Sequence, residues 1–256
     1  MMVPVLNMNG EQVEEMELPR IFQTPIRPDV IWRAVIALQS HRFQPQGRDP
    51  LAGKRTTAES WGVNRGLSRV PRLRDSRRAA FGVGTVGGHQ AFPPTSIKRI
   101  RKEINKKERR LAIRSAIAAT AVRDLVAKRG HDIHAVASLP IVVEDKVESL
   151  NKAREARDLL TRLGVWPDVE RSDRKKIRAG RGKMRGRKKK LGRGPLIVIS
   201  EDRGISKAFS NIPGVEVVKV SDLNAELLAP GARPGRLVIW TKNAFATLDE
   251  IWGEKN

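Results

Sequence analysis

Cysteine is absent from the 256 residues, which excludes disulfides, thiolate zinc sites and cysteine nucleophiles together. Long apolar runs are absent as well. The stretches 196–199 and 237–240 are strand-length, far short of the ~20 residues a membrane-spanning helix needs. The opening MMVPVLNMNGE lacks the basic and then apolar regions of a secretory leader, so a cytoplasmic protein is expected. Acids are few: 28 Asp and Glu face 50 Lys and Arg, a net charge of +22 with a pI near 11.2. An excess that large is the electrostatic footprint of a nucleic-acid partner more than of a basic soluble enzyme.

Nucleotide motifs are missing too. Gly47 and Gly53-Lys54 are one residue too far apart for a phosphate-binding loop, and Arg55 stands where Ser or Thr should bind magnesium. Gly182-Lys183 is followed by Met184, and no GxGxxG follows a strand pattern. Of the four histidines, His41, His89, His131 and His134, only the last two are close in sequence. They lie after Gly130 without further ligands in reach, so all four read as surface residues and no metal is expected. Ser200, Glu201 and Asp202 read as strand-end capping, because no nucleophile, base and oxyanion arrangement accompanies them. No cofactor and no catalytic residue is expected.

The acid shortage is sharpest at 44–94. There Arg48, Lys54, Arg55, Arg65, Arg69, Arg72, Arg74, Arg77 and Arg78 meet only Asp49, Glu59 and Asp75, and glycine recurs. Apolar residues stand singly, with neither a period of two nor a helical stripe, so the stretch buries too little to offset its ordering entropy. A structureless segment of that length is either disordered or ordered by something outside the protein. Arginine forks and glycine backbone suit a path through phosphate-rich surroundings. Trp61, between Ser60 and Gly62, is placed either to stack on a base or to pack locally.

Elsewhere the chain alternates. Apolar runs at 3–6 and 13–16 flank Asn9-Gly10, which predicts a hairpin with a type I′ turn. Asp29 is expected to cap a helix ending near Ser40. A helix from Lys102 to Gly130 follows, its apolar face running from Leu111 to Leu125. Lys106, Lys107, Arg109 and Arg110 crowd its start, where the helix dipole favours acids, so a polyanion is expected beside them. A strand at 141–143 leads into a helix ending at Gly164.

The segment 171–194 reads as a glycine-spaced phosphate-binding insertion and not as helix. It carries Lys175, Lys176, Arg178, Arg181, Lys183, Arg185, Arg187, Lys188, Lys189 and Lys190, with Asp173 as its one acid. Strands at 196–199, 215–220 and 237–240 then alternate with helices at 204–211, 222–228 and 244–252. Repeated β-α alternation predicts a single three-layer α/β/α domain over 1–256 with a mainly parallel sheet. It carries the long irregular basic loop and the second basic insertion.

LAGKRTTAESWG (51–62), RGLSRVPRLR (65–74), INKKERRLAIRSAIAATA (104–121), LPIVVEDKVESL (139–150), KKIRAGRGKMRGRKKK (175–190) and the pairing of GPLIVISED with KAFSNIPGVEVVKVSDLNAELLAPG resemble the L-four family of large-subunit ribosomal proteins, in its archaeal and eukaryotic form. The resemblance is collinear over nearly the whole chain, which stops soon after LDEIWG, as archaeal members do. It implies a structural, non-catalytic constituent of the large ribosomal subunit that aids assembly. Its partners would be large-subunit ribosomal RNA, neighbouring ribosomal proteins and the nascent peptide at the exit-tunnel wall, and it would not be a homo-oligomer.

The resemblance also places the loop tip beside the tunnel constriction, mapped to Gly62, Val63, Asn64, Arg65, Gly66, Leu67, Ser68, Arg69, Val70, Pro71 and Arg72. Doubled back, the loop reaches at most about 80 Å at ~3.3 Å per residue. Two other readings stay open, a regulatory binder of a messenger leader and, far behind it, an enzyme acting on nucleic acid.

Overall fold

The computed structural model describes residues 2–253. Two compact units result: one combines the chain before Gln39 with the chain after Lys102, and the other is Gln39–Lys102. The first contains β1 (Met2–Leu6), β2 (Gln12–Glu17), α1 (Pro28–Ser40, whose last two residues enter the second unit), α2 (Lys106–Thr120), α3 (Arg123–Arg129) and β3 (Ile141–Val143). It continues with α4 (Ala153–Arg162), α5 (Trp166–Asp173), β4 (Lys176–Ile177), β5 (Lys189–Lys190), β6 (Leu196–Ile199), α6 (Ile205–Phe209) and β7 (Glu216–Lys219). It closes with α7 (Ala225–Leu228), β8 (Val238–Thr241), α8 (Lys242–Ala246) and α9 (Leu248–Trp252).

Six strands form one sheet in the order β2-β1-β3-β8-β6-β7. Only the β1–β2 pair is antiparallel; the other neighbours run parallel. Alternation along the central strands divides their side chains between two cores. Leu196, Val198, Val142, Val238 and Trp240 join α1, α2, α7 and α8 on one face. Ile197, Ile199, Ile141, Val143 and Ile239 join α4, α5 and α6 on the other. Strands buried on both faces must be apolar throughout, which is why they read as unbroken runs. Each buried aliphatic side chain contributes roughly 1.5–3 kcal/mol, so these few short strands anchor the unit. The expected three-layer, mainly parallel α/β/α architecture is the one observed.

Several boundaries differ from expectation for identifiable reasons. The helix expected from Lys102 to Gly130 is two helices broken at Val122, which is extended at φ −88°, ψ 108°. Ile113, Ala116 and Ile117 of α2 belong to the first core and Val126 of α3 to the second, so one straight helix could not serve both. The helix expected after β3 begins instead as a 3-10 turn, Asp145–Ser149, and restarts as α4 beyond an extended Leu150.

The closing helix likewise divides at Thr247 into α8 and α9. Asp29 is not the cap of α1: the helix starts at Pro28, the Ile31 N–H donates to the Arg27 carbonyl, and Asp29 pairs with Arg27 instead. In the hairpin turn Gly10 takes a positive φ of 85° and Asn9 does not, so the turn is not type I′. The Asn7 side chain shapes it by accepting from the Asn9 and Glu11 N–H groups. Residues 171–173, expected within the irregular insertion, complete α5.

Candidate nucleic-acid interface

The unit Gln39–Lys102 contains no helix or ladder of its own, only turns, scattered backbone hydrogen bonds and two isolated bridges. The chain doubles back on itself in stages. The Arg48 N–H donates to the Pro94 carbonyl at 2.9 Å, and further out the Gly53 backbone lies directly against Gly88. At that crossing Gly53 has φ +76°, and any Cβ would collide with the Gly88 carbonyl, so glycine is required there. Beyond it, Glu59 and Arg72 exchange both backbone hydrogen bonds at 3.1 and 2.9 Å, and Arg72 bridges onward to Ala79. Residues 61–70 project past this clasp and are exposed at every position.

The nine loop cations divide by what holds them. Arg55 pairs with Asp49, whose carboxyl is held below its ordinary value by that hydrogen bond, and Arg74 pairs with Glu59 at 3.3 Å. Arg72 is half-buried and turned inward, donating to the Arg77 carbonyl at 2.6 Å and the Ser68 hydroxyl at 3.0 Å. Its guanidinium therefore organises the tip, a use composition did not reveal. Arg48, Lys54, Arg65, Arg69, Arg77 and Arg78 are exposed. Trp61 is 37% exposed, so part of its side chain is open.

Two further basic surfaces lie in the other unit. Lys106, Lys107, Arg109 and Arg110 are exposed on the first turns of α2, while Glu108 turns away to pair with Arg33 at 3.2 Å. The insertion is a two-stranded hairpin in which β4 pairs with β5. It is tightened by the Arg178 N–H donating to the Lys188 carbonyl at 2.9 Å and by Arg178 Nε donating to the Arg187 carbonyl at 3.1 Å. Lys175, Lys176, Arg181, Lys183, Arg185, Arg187, Lys188, Lys189 and Lys190 are exposed on it, and Arg178 is half-buried.

The reading of His131 as a surface residue is corrected. It is 6% exposed, and its Nδ1–H donates to Asp168 at 2.9 Å. Asp168, fully buried, also accepts from the Asp132 N–H at 2.9 Å and Arg171 Nε at 2.8 Å. Burial disfavours ionising Asp168, but these donors together hold its carboxyl below the ordinary value. Burial pushes the His131 imidazole below its ordinary value, outweighing the nearby carboxylate. The unfolded chain therefore takes up this proton first, and the associated stability, full above about pH 6.5, is lost as pH falls through the lower folded value. The melting temperature should fall between pH 7 and 5, and His131→Gln should flatten that slope. An identical slope in the variant would remove His131 as its source.

Parallel α/β sheets bind ligands in the crevice at the carboxyl ends of their strands. Here polar groups at the ends of β6 and β8 are engaged by the chain itself. Glu148, 2% exposed, accepts from the Ser200 N–H and the Thr241 hydroxyl, both at 2.8 Å, and so ties the ends of β6 and β8. Asp202 accepts from the Gly204 and Ser206 N–H groups ahead of α6, and Arg203 pairs with Glu201. The polar residues at the strand ends are thus engaged in backbone and ion-pair contacts. Among the described residues no group of His, Asp and Glu could hold a metal ion, and no helix is long and apolar enough to cross a membrane.

Sequence reasoning missed Arg129, Arg171, Arg193 and Arg236. The last is fully buried, donating to the Gly194 and Leu227 carbonyls and to Glu216 at 2.7 Å. Burial lowers its pKa from the ordinary value. The only available signal was Arg236 standing against the apolar run that follows it.

Residues 16–251 match the model of the ribosomal protein L4/L1 family. The chain is 48% identical over 255 residues to the large ribosomal subunit protein uL4 of Methanosphaera stadtmanae, covering 99% of this chain and 98% of that one. It is 48% identical to the protein of the same name from Methanopyrus kandleri over 260 residues, 99% of this chain and 100% of the relative. The Archaeoglobus fulgidus protein, again uL4, is 48% identical over 251 residues, 98% and 99% of the two chains.

Proposed function

The chain belongs to the ribosomal protein L4/L1 family, and we propose that within the large ribosomal subunit it threads its basic loop through ribosomal RNA to the wall of the peptide exit tunnel. It is a structural constituent of that subunit and not an enzyme. The division of labour follows from charge and packing. The sheet domain anchors the chain, while exposed loop cations neutralise phosphates and let RNA strands approach one another. The α2 start and the 176–190 hairpin supply further phosphate contacts. Residues 62–72 form the tunnel tip, where the nascent peptide passes, and neighbouring ribosomal proteins pack around the domain.

The observation that carries this reading is the tip itself. Ten consecutive exposed residues, 61–70, extend past the Glu59–Arg72 clasp and include Arg65 and Arg69. A segment with so little packing of its own gains its order from a partner, and its charge fits RNA. Arg65→Ala, Arg69→Ala, Arg77→Ala and Arg78→Ala should each lower the salt slope of binding to large-subunit RNA by about 0.7–0.9. A slope unchanged in all four variants would place the phosphate contacts elsewhere.

A further inference from the structure

The sheet unit has a cavity of about 670 Å³ that the loop does not enter into forming. Its cations come from separate segments: Arg129 ends α3, Arg171 lies on α5, Arg178, Lys189 and Lys190 belong to the hairpin, and Arg193 precedes β6. Glu226 is the one acid among its lining residues. Arg129 and Arg178 are held by neutral acceptors, while Arg171 also pairs with Asp168 and Arg193 with Glu216. Arg129 donates to the carbonyls of Arg233 and Pro230, Arg171 Nη2 to the Arg193 carbonyl at 2.7 Å, and Arg178 to the Arg187 carbonyl. Carbonyls orient a guanidinium without cancelling its charge, and each guanidinium has five N–H donors to offer.

The charge at the site is only partly compensated: Asp168 and Glu216 pair with Arg171 and Arg193, and Glu226 lines the cavity, against six cations. Burial, and then the neighbouring Arg236, Arg171 and Arg233, push the Arg129 guanidinium down to about 10, below its ordinary value. The one fully buried carboxylate nearby, Asp168, is already shared between His131, Arg171 and the Asp132 N–H. Cations brought from four separate segments to line one cavity match a tetrahedral oxyanion with several oxygens better than a single planar carboxylate.

We propose that this cavity is an oxyanion site that takes one phosphate group. The inference rests on reading the chain as an RNA-binding protein but uses residues outside the loop, among them Arg129, which lies outside the basic run 171–194. The phosphate is supplied either by an RNA backbone or as the free ion.

The test compares thermal melts of the full-length chain as chloride is replaced by inorganic phosphate at constant ionic strength. It is run for the wild type, Arg129→Gln, the exposed pair Lys189→Ala/Lys190→Ala, and Arg203→Gln as a control. A saturable stabilisation is expected in the wild type and the control, with affinity for phosphate falling about tenfold or more in each of the other two. A melt indifferent to the exchange, or a full response in both site variants, would overturn the proposal. The same variants are then titrated with large-subunit RNA. A salt slope lowered by about one assigns the phosphate to RNA, and an unchanged slope beside a lost phosphate response assigns it to the free ion. Failure of the phosphate response while loop substitutions still weaken RNA binding would sink this site and leave the loop's role standing. The reverse pattern would do the opposite.

Discussion

Replacing 47–88 with a short Gly-Ser linker is expected to leave the melting temperature within a few degrees of the full-length chain while abolishing, or greatly delaying, incorporation into large subunits. The first expectation follows from packing. Every residue of both hydrophobic cores lies before position 39 or after position 103. The excised stretch is held by turn hydrogen bonds and surface ion pairs, which add little to stability. The outgoing chain runs beside the returning one, with Gly47 against Thr95 and Ser96 and Gly53 against Gly88 and His89, so a linker of a few residues can join Gln46 to His89. The second expectation follows from charge: all nine loop cations, Arg48 to Arg78, are removed together with the whole tip. With that many phosphate contacts gone, RNA affinity falls by several orders of magnitude at moderate salt. A variant that melts far below the full-length chain would mean that the loop helps build the domain.

Glu148→Ala should destabilise the protein by about 3–5 kcal/mol, because it leaves more than one donor without its acceptor at roughly 1–3 kcal/mol each. The side chain joins three elements: its own 3-10 turn, the Ser200 and Glu201 amides past β6, and the Thr241 hydroxyl ending β8. Removing it leaves the buried Thr241 hydroxyl and the half-buried Ser200 amide without their acceptor, while the Glu201 amide belongs to an exposed residue. For a unit of this size the melting midpoint falls by about 10 °C or more. Glu148→Gln keeps one oxygen for Ser200 and Thr241 and weakens only the bond to Glu201, so its loss should be about 1–2 kcal/mol. If alanine and glutamine variants both melt like the wild type, the carboxylate does not hold the strand ends together.

The sheet was legible because its central strands are apolar on both faces. An unbroken run such as Leu196–Ile199, bounded by Pro195 and Ser200, is too short for a buried helix and fits a strand covered on both sides. Helix interruptions were not legible. Residues 106–129 carry one continuous apolar pattern, yet α2 and α3 serve opposite faces, and only the packed sheet reveals that a break at Val122 is needed. The exposed cations of the loop and hairpin were legible as charge without a matching pattern. Arg72 was read with them because a side chain turned in on the Arg77 carbonyl has the same sequence signature as one turned out to solvent.

His131 and Asp168 escaped notice for a different reason. They are 37 residues apart, and their contact depends on how α3 and α5 meet the same core. Cations such as Arg129 and Arg171, near the ends of short helices, look like ordinary solvated charge until the chain brings them around one cavity.

The most direct test of the loop's role is a photo-crosslinker placed at Leu67, which is 41% exposed and lies in the middle of the projecting tip. The variant is incorporated into large subunits and irradiated with and without a nascent chain. The expected product is a crosslink to large-subunit RNA, joined by the nascent peptide when one is present. Crosslinks confined to other proteins, or to solvent-facing components with no RNA among them, would contradict a loop threaded through RNA to the tunnel wall.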